Sequence, residues 1–223
     1  MDVTTLDDLQ TREYWDSRYA QEGAQMTYDW FKSWPELESH LLPHIGDKSA
    51  RVLELGCGNS TITPALYSLG FHQVTSLDFS STVIEQMRGK HPEINWVEMD
   101  IREMIEKDGE LGGAASWDVV LDKGTLDALV AEKGSVWDPS ERVRENARRE
   151  IDAVLHLLRP GGRFLYMTWM SRPLRMPFLE RAEWKIEVLP VNDGNGLDYY
   201  LYVCTKHGEA SVADAAAAGE GTP

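Results

Sequence analysis

The sequence is short of cysteine, of long apolar runs and of positive charge, and each shortage removes a class of protein. Two cysteines in 223 residues, Cys57 and Cys204, provide no disulfide framework and no C-x-x-C metal clip. No apolar stretch approaches the ~20 residues that a membrane-spanning helix needs. The opening MDVTTLDDLQ is acidic, where a secretory signal would be apolar and a transit peptide basic. The expectation is a cytoplasmic protein without membrane contact. Lysine and arginine number 22 against 37 aspartates and glutamates, a formal net charge of -15. That balance argues against sequence-independent nucleic-acid binding, which depends on cations that neutralise phosphates. His40 and His44 lie four apart but have no third ligand beside them, so no metal is expected. There are no internal repeats, and the length suits one α/β domain with a full core.

What is present is organised around residues 51–61, RVLELGCGNST. Val52, Leu53 and Leu55 supply a β-rich run. Gly56 and Gly58 then let the backbone turn sharply and approach a ligand where a Cβ would clash. Cys57 reads as a small residue that fits this turn, with a reactive thiol at a helix start as the alternative. Further strands are expected at 73–77, 94–99, 117–121, 163–169, 185–189 and 197–205, the last two joined as a hairpin by VNDGNG. Helical spacing or caps place helices at 6–22, 35–45, 62–69, 80–89 and 140–158. The alternation predicts an α/β fold: a Rossmann-like, mostly parallel sheet with helices on both faces and a C-terminal antiparallel hairpin. Residues 1–45, rich in aromatics at Tyr14, Trp15, Tyr19, Tyr28, Trp30 and Phe31, read as a segment that packs on the core or covers a pocket. Residues 46–206 form the core, and 207–223 a flexible tail.

Three strands end in acids, Glu54, Asp78 and Asp100. In open α/β sheets ligands bind at that carboxyl edge, so the set suits a ligand that donates hydrogen bonds from an ammonium group, a diol and an exocyclic amine. Solvated loop carboxylates are the plain alternative. Asp78 follows Gly56 by 22 residues, the separation at which an acid reaches ribose hydroxyls. A dinucleotide would call for a third glycine where Thr61 stands, and Glu54 would sit poorly beside a pyrophosphate. A positively charged sulfonium amino acid would suit Glu54 better. The charged cluster DKGTLDAL, residues 122–129, follows a buried strand and is unexpected unless it lines a site.

ELGCGNS with Asp78, Asp100 and the terminal hairpin resembles the seven-strand family of S-adenosylmethionine-dependent methyltransferases. More narrowly, EYWDSRY, YDWF, LELGCGNS, LDKGTLDAL and RPGGRF resemble the eukaryotic lysine methyltransferases of translation elongation factor 1-alpha, over residues 13–205. The resemblance implies a seven-stranded sheet, S-adenosylmethionine as cofactor, S-adenosylhomocysteine as product and a protein partner such as that elongation factor. It implies that Gly56 and Gly58 pass under the amino-acid part of the cofactor and that Asp78 holds the ribose. Phe79 would then lie beside the adenine and Asp100 with Ile101 at its edge, while Trp15, Tyr19, Trp30 and Lys123 line the pocket. Aromatic faces at Trp15, Tyr19 or Trp30 would suit the sulfonium.

Asp122 to Asp127 match an element the family needs for activity, with Asp122 standing where some relatives have glutamate. Asp122 is expected to orient the acceptor amine or help its proton leave, or else to fix Lys123 or cap the following helix. Trp169 and Met170 border an acceptor channel or simply pack. Two alternatives stand beside protein-lysine methylation: a small-molecule O-, N- or S-methyltransferase, and a non-catalytic cofactor-binding scaffold.

Overall fold

The computed structural model describes residues 5–192 and 198–208. A 3-10 turn at Leu6–Gln10 precedes α1 (Arg12–Glu22) and α2 (Trp34–Ile45). Then follow β1 (Val52–Leu55), α3 (Ile62–Ser68), β2 (Val74–Asp78), α4 (Ser81–Lys90), β3 (Asn95–Glu98), β4 (Trp117–Lys123), α5 (Thr125–Leu129), α6 (Glu141–Leu157), β5 (Leu158–Thr168), α7 (Arg172–Leu179), β6 (Trp184–Val191) and β7 (Tyr199–Lys206). The seven strands form one sheet in the order β3-β2-β1-β4-β5-β7-β6. The first five strands run parallel, and β7 is antiparallel to both β5 and β6. The expected fold class is therefore observed.

Each sheet face buries its own core. Trp15, Tyr19, Leu37, Ile62, Leu66, Val83 and Ile84 from α1 to α4 pack on Val52, Val74, Val119 and Leu121. Leu126, Ile151, Val154 and Leu179 from α5 to α7 pack on Leu53, Leu55, Leu77, Val120 and Phe164. Successive strand residues point to opposite faces, so the odd and even positions of β1, β2 and β4 serve different cores. Parallel strands covered on both sides carry this near-continuous apolar run. Strand order reverses between β1 and β4, which opens a crevice at their carboxyl ends.

Four local expectations change. The helix expected at 6–22 is broken at Thr11, whose extended backbone (φ -107°, ψ 140°) ends the 3-10 turn and whose side chain accepts the Tyr14 N–H to start α1. Helix α6 ends at Leu157 and the next strand starts at once with Leu158, because the chain bulges: pairing jumps from Trp117–Leu158 to Val119–Arg163. α7 was not among the expected helices; its Pro173 sits in the first turn, where no N–H is needed. Trp169, expected as the last residue of the fifth strand, lies just beyond β5. The expected helix at 35–45 is present with Ser33 as cap, its N–H and hydroxyl both donating to Glu36. The centre of the VNDGNG turn and the tail from 209 lie outside the described residues.

Candidate functional site

One cavity of about 440 Å³ lies along the carboxyl edge of the sheet, from Phe79 and Asp100 at one end to Trp169 and Phe178 at the other. Its wall includes Trp15, Tyr19, Trp30, Glu54, Gly56, Gly58, Asp78, Phe79, Asp100, Ile101, Lys123 and Asp127. Of the catalytic and cofactor-binding candidates named from the sequence, only Asp122 is absent from that wall.

The glycine turn is forced by close approaches. Gly56 and Gly58 have φ of 52° and 50°. A Cβ on Gly56 would overlap Thr125 Oγ1, and one on Gly58 would lie 2.6 Å from the Tyr19 hydroxyl. Thr125 Oγ1 donates to the Leu55 carbonyl at 3.0 Å, tying the start of α5 to the end of β1. Cys57 is buried and its thiol is pushed well up by that burial and by nearby Asp78, which leaves an inert packing residue.

The acids here are held in distinct ways. Asp78 accepts the N–H groups of Gly58 (3.0 Å) and Ser80 (2.9 Å). Burial raises its pKa to about 6, with those two donors opposing. Glu54 accepts the hydroxyls of Thr63 (2.5 Å) and Ser76 (3.2 Å), and burial pushes it up to about 7. Asp100 is also partly buried, but Arg102 grips both its oxygens and more than offsets that, holding the carboxyl below its usual range. Phe79 is half-buried beneath the Arg12 guanidinium, 5.8 Å from its ring centre.

The N-terminal segment closes over this end through residues the sequence reading passed over. Asp29, inside YDWF, accepts Ser60 Oγ (2.9 Å), Thr61 Oγ1 (2.6 Å) and the Thr61 N–H (3.2 Å). It also pairs with Lys123 at 3.3 Å, and Lys123 donates to the Trp30 carbonyl at 3.0 Å. Burial lowers the Lys123 pKa, with Asp29 and Glu54 opposing. The Arg18 guanidinium lies 5.6 Å from the Trp15 ring, 5.2 Å from Tyr28 and 5.0 Å from Trp30. The expectation that these tryptophans offer faces to a cation thus meets a cation supplied by the chain itself. An acid and an arginine set among six aromatics were the available signals.

On the other face, Asp127 accepts the Tyr166 hydroxyl (2.7 Å), Thr168 Oγ1 (2.7 Å) and Arg175 (2.8 Å). The Asp127–Arg175 pair is buried, at 9% and 6% side-chain exposure. Arg175 also donates to Tyr166 at 2.8 Å, so the carboxylate is fixed by three side chains from two elements, β5 and α7. The sequence pointed to Asp127 but not to Tyr166 and Thr168, which the end of β5 brings near, or to Arg175, which the unexpected α7 brings near. Exposed Trp169 and Val136 stand at the mouth, with Met170 and Phe178 further along the wall.

The expectation that Asp122 addresses an acceptor is corrected. Its side chain follows the parity of Val120 onto the α5–α6 face, and its two oxygens accept the N–H groups of Thr125 and Leu126 at 2.9 Å each. It is the cap of α5, one of the roles weighed above, and it meets Glu150 of α6 behind the cavity wall.

A family model described as a methyltransferase domain matches residues 46–183. The chain is 33% identical over 207 residues to EEF1A lysine methyltransferase 4 of Bos taurus, covering 92% of this chain and 78% of that protein. It is 28% identical over 220 residues to the mitochondrial citrate synthase-lysine N-methyltransferase of Pongo abelii, covering 87% and 86%. Among solved structures, a TehB-like SAM-dependent methyltransferase of Corynebacterium glutamicum superposes with a TM-score of 0.58 at 17% identity, over 87% of this chain and 97% of that one. With a match over more than half its length and a relative above 30% identity across most of both proteins, the chain belongs to the methyltransferase-domain family.

Proposed function

We propose that this protein binds S-adenosylmethionine in the cavity and transfers its methyl group to a lysine side chain of a protein, translation elongation factor 1-alpha being the first substrate to test. The observation that carries the reading is the continuity of one cavity from Asp78 and Phe79, past the glycine turn, to Asp127 and Trp169. The residues present fit the cofactor. Asp78 uses one lone pair of each oxygen on a backbone N–H and keeps acceptor capacity for a ribose diol. Gly56 and Gly58, packed too closely against Thr125 and Tyr19 to carry a Cβ, also line the cavity, Glu54 supplies an acid for an ammonium group, and Phe79 with Asp100 and Ile101 bounds the adenine end. Trp15, Tyr19 and Trp30 cover the site from the N-terminal side and Lys123 from the end of β4, with the described residues of the N-terminal segment acting as a lid. The bound cofactor supplies an electrophilic methyl on a sulfonium.

The chain's contribution is to hold two partners in line and keep water out. An acceptor amine must be neutral to attack. In this reading the ammonium proton passes to solvent, Asp127, fixed by Tyr166, Thr168 and Arg175, then accepts a hydrogen bond from the neutral amine, and the exposed apolar rim at Trp169 and Val136 suits the aliphatic stem of a lysine. The relatives named as lysine methyltransferases support the same acceptor class. No helix among the described residues is long and apolar enough to cross a membrane. The cytoplasmic location belongs to this proposal and follows from the elongation-factor substrate alone.

The test is incubation with labelled S-adenosylmethionine and either purified elongation factor or a cell extract, read by mass spectrometry. A methylated lysine is the expected result. Label confined to small metabolites would overturn the protein-lysine reading, and absence of cofactor binding by calorimetry would overturn the whole assignment.

A further inference from the structure

Glu150 is completely buried on α6, and neither of its side-chain oxygens meets a hydrogen-bond donor among the described residues. Its neighbour is another carboxyl group, that of Asp122. Two ionised carboxylates offer only acceptors and repel; they bond only when one of them carries a proton. Asp122 cannot easily be the one, because both its oxygens already accept backbone N–H groups, those of Thr125 and Leu126, which favours its charged form. Charge counting agrees. The buried groups around the pair are Asp127 from α5, Tyr166 from β5 and Arg175 from α7, and the one cation among them is committed to Asp127. The remaining neighbour, the 3-10 turn at Ile101–Glu103, brings Arg102, which is engaged by Asp100. A second negative charge at Glu150 would stand without compensation in a dry site.

We propose that Glu150 is a positioning residue for methyl transfer: as a neutral acid it donates a hydrogen bond to the Asp122 carboxylate, and so holds the first turn of α5 that presents Asp127 to the cavity. The chain of contacts is short. Asp122 caps α5 through Thr125 and Leu126, Thr125 is hydrogen-bonded to the end of β1 beside the glycine turn, and Asp127 lies one residue past Leu126. Burial and the neighbouring Asp122 both act to keep the Glu150 proton in place well above the ordinary glutamate range. When that proton leaves at alkaline pH, two carboxylates face each other and the α5 cap is pushed apart.

The kinetic part of the test rests on the methyl-transfer reading, and the spectroscopic part does not, so failure of one is distinguishable from failure of the other. Infrared difference spectra of wild type against Glu150→Gln at neutral pH are expected to show a protonated carboxyl stretch in the wild type that the variant lacks. Its absence would overturn the proposal whatever the enzyme's substrate. In pH–rate profiles, the wild-type kcat is expected to fall at alkaline pH while Glu150→Gln, whose amide donates at every pH, holds its rate; superposing alkaline limbs would overturn it. Glu150→Met keeps the volume but removes the donor, and kcat is expected to fall about tenfold with cofactor affinity within about twofold. A folded Glu150→Met with wild-type kcat would also overturn the role. Should that variant fail to fold, Glu150→Gln with its two readouts decides alone.

Discussion

Asp78 and Asp122 occupy matching places on either side of β1: each stands at the carboxyl end of a parallel strand, each is buried, and each accepts two backbone N–H groups, Asp78 from Gly58 and Ser80 and Asp122 from Thr125 and Leu126. Burial raises the pKa of both. Yet Asp78 opens onto the cavity and Asp122 does not. The difference is parity. Leu77 and Val120 face the α5–α7 core; Asp78 comes one residue after the first and Asp122 two residues after the second, so their side chains leave on opposite faces. Position at the edge of a sheet sets how far along the strand an acid lies, while parity sets what it touches. Acids on the α1–α4 face, Glu54 and Asp78, are left with capacity for a ligand. Those on the other face, Asp122 and Asp127, are spent mainly on structure, with Asp127 reaching the cavity because α5 turns it back.

That contrast predicts effects of different kinds. The largest is on stability, from Asp127→Ala, which leaves Arg175 buried without its partner and removes the acceptor of Tyr166 and Thr168. A loss of about 3–5 kcal/mol in denaturant unfolding is expected, with cofactor affinity in the surviving folded fraction changed by less than about threefold. A large affinity loss with little change in stability would reverse the assignment of the two faces. Next comes Asp78→Ala, for which calorimetry should show cofactor affinity falling about 100-fold, since two charge-assisted hydrogen bonds to a diol go with it. Unchanged affinity would break the ribose assignment.

The α1–α4 face also carries a pH signature. The folded pKa of Glu54 is about 7 against 4.5 for the free side chain, and that of Asp78 about 6 against 3.8. Where the folded state binds protons more tightly than the unfolded chain, stability is fully present below the unfolded values and declines as pH rises through the folded ones. The fold is therefore expected to lose a few kcal/mol between about pH 4.5 and pH 7 from these two groups. Thermal unfolding followed across that window checks it, and Glu54→Gln should flatten the slope. Asp100, whose pKa is depressed, acts in the opposite sense and only at more acidic pH. A profile flat from pH 4.5 to 7 in the wild type would show that these acids are not desolvated as their burial implies.

Much of this architecture was legible in the sequence, and for identifiable reasons. The glycine turn, the strand-end acids and the Ser80 and Ser140 caps are local devices whose chemistry is written in adjacent residues. Parity was not legible. In strands buried on both faces, VLEL and VVLDK show no alternation of apolar and polar residues to mark which side is which, so Asp122 looked as available as Asp78. Partners distant in sequence were equally hidden. Asp29 meets Lys123 across 94 positions and Arg175 meets Asp127 across 48, and nothing local to Arg175 marks it as the companion of an acid. Glu150 sits among ENARREID, where a helical glutamate reads as solvated surface, and only the turn of α6 toward Asp122 buries it.

The smallest effect separates the acceptor end of the cavity from the core beside it. Trp169 lies beyond β5, is 51% exposed and lines the cavity at its mouth, so its ring contributes little to folding. Trp184, an indole of the same size on β6, is 4% exposed, stacks on Phe164 and donates to the Leu179 carbonyl. Trp169→Ala should therefore change unfolding free energy by no more than about 0.5 kcal/mol, where a buried tryptophan costs roughly 3–5. On the acceptor-stem reading, the same substitution raises KM for the protein acceptor several-fold and leaves cofactor affinity unchanged, because the ring stands far along the cavity from Asp78 and Phe79. An unchanged KM would mean that the acceptor enters past Val136 without touching the indole. A fall in cofactor affinity would mean that the two ends of the cavity are coupled through Met170 and the end of β5, and the division between a ligand-holding face and a structural face would have to be redrawn there.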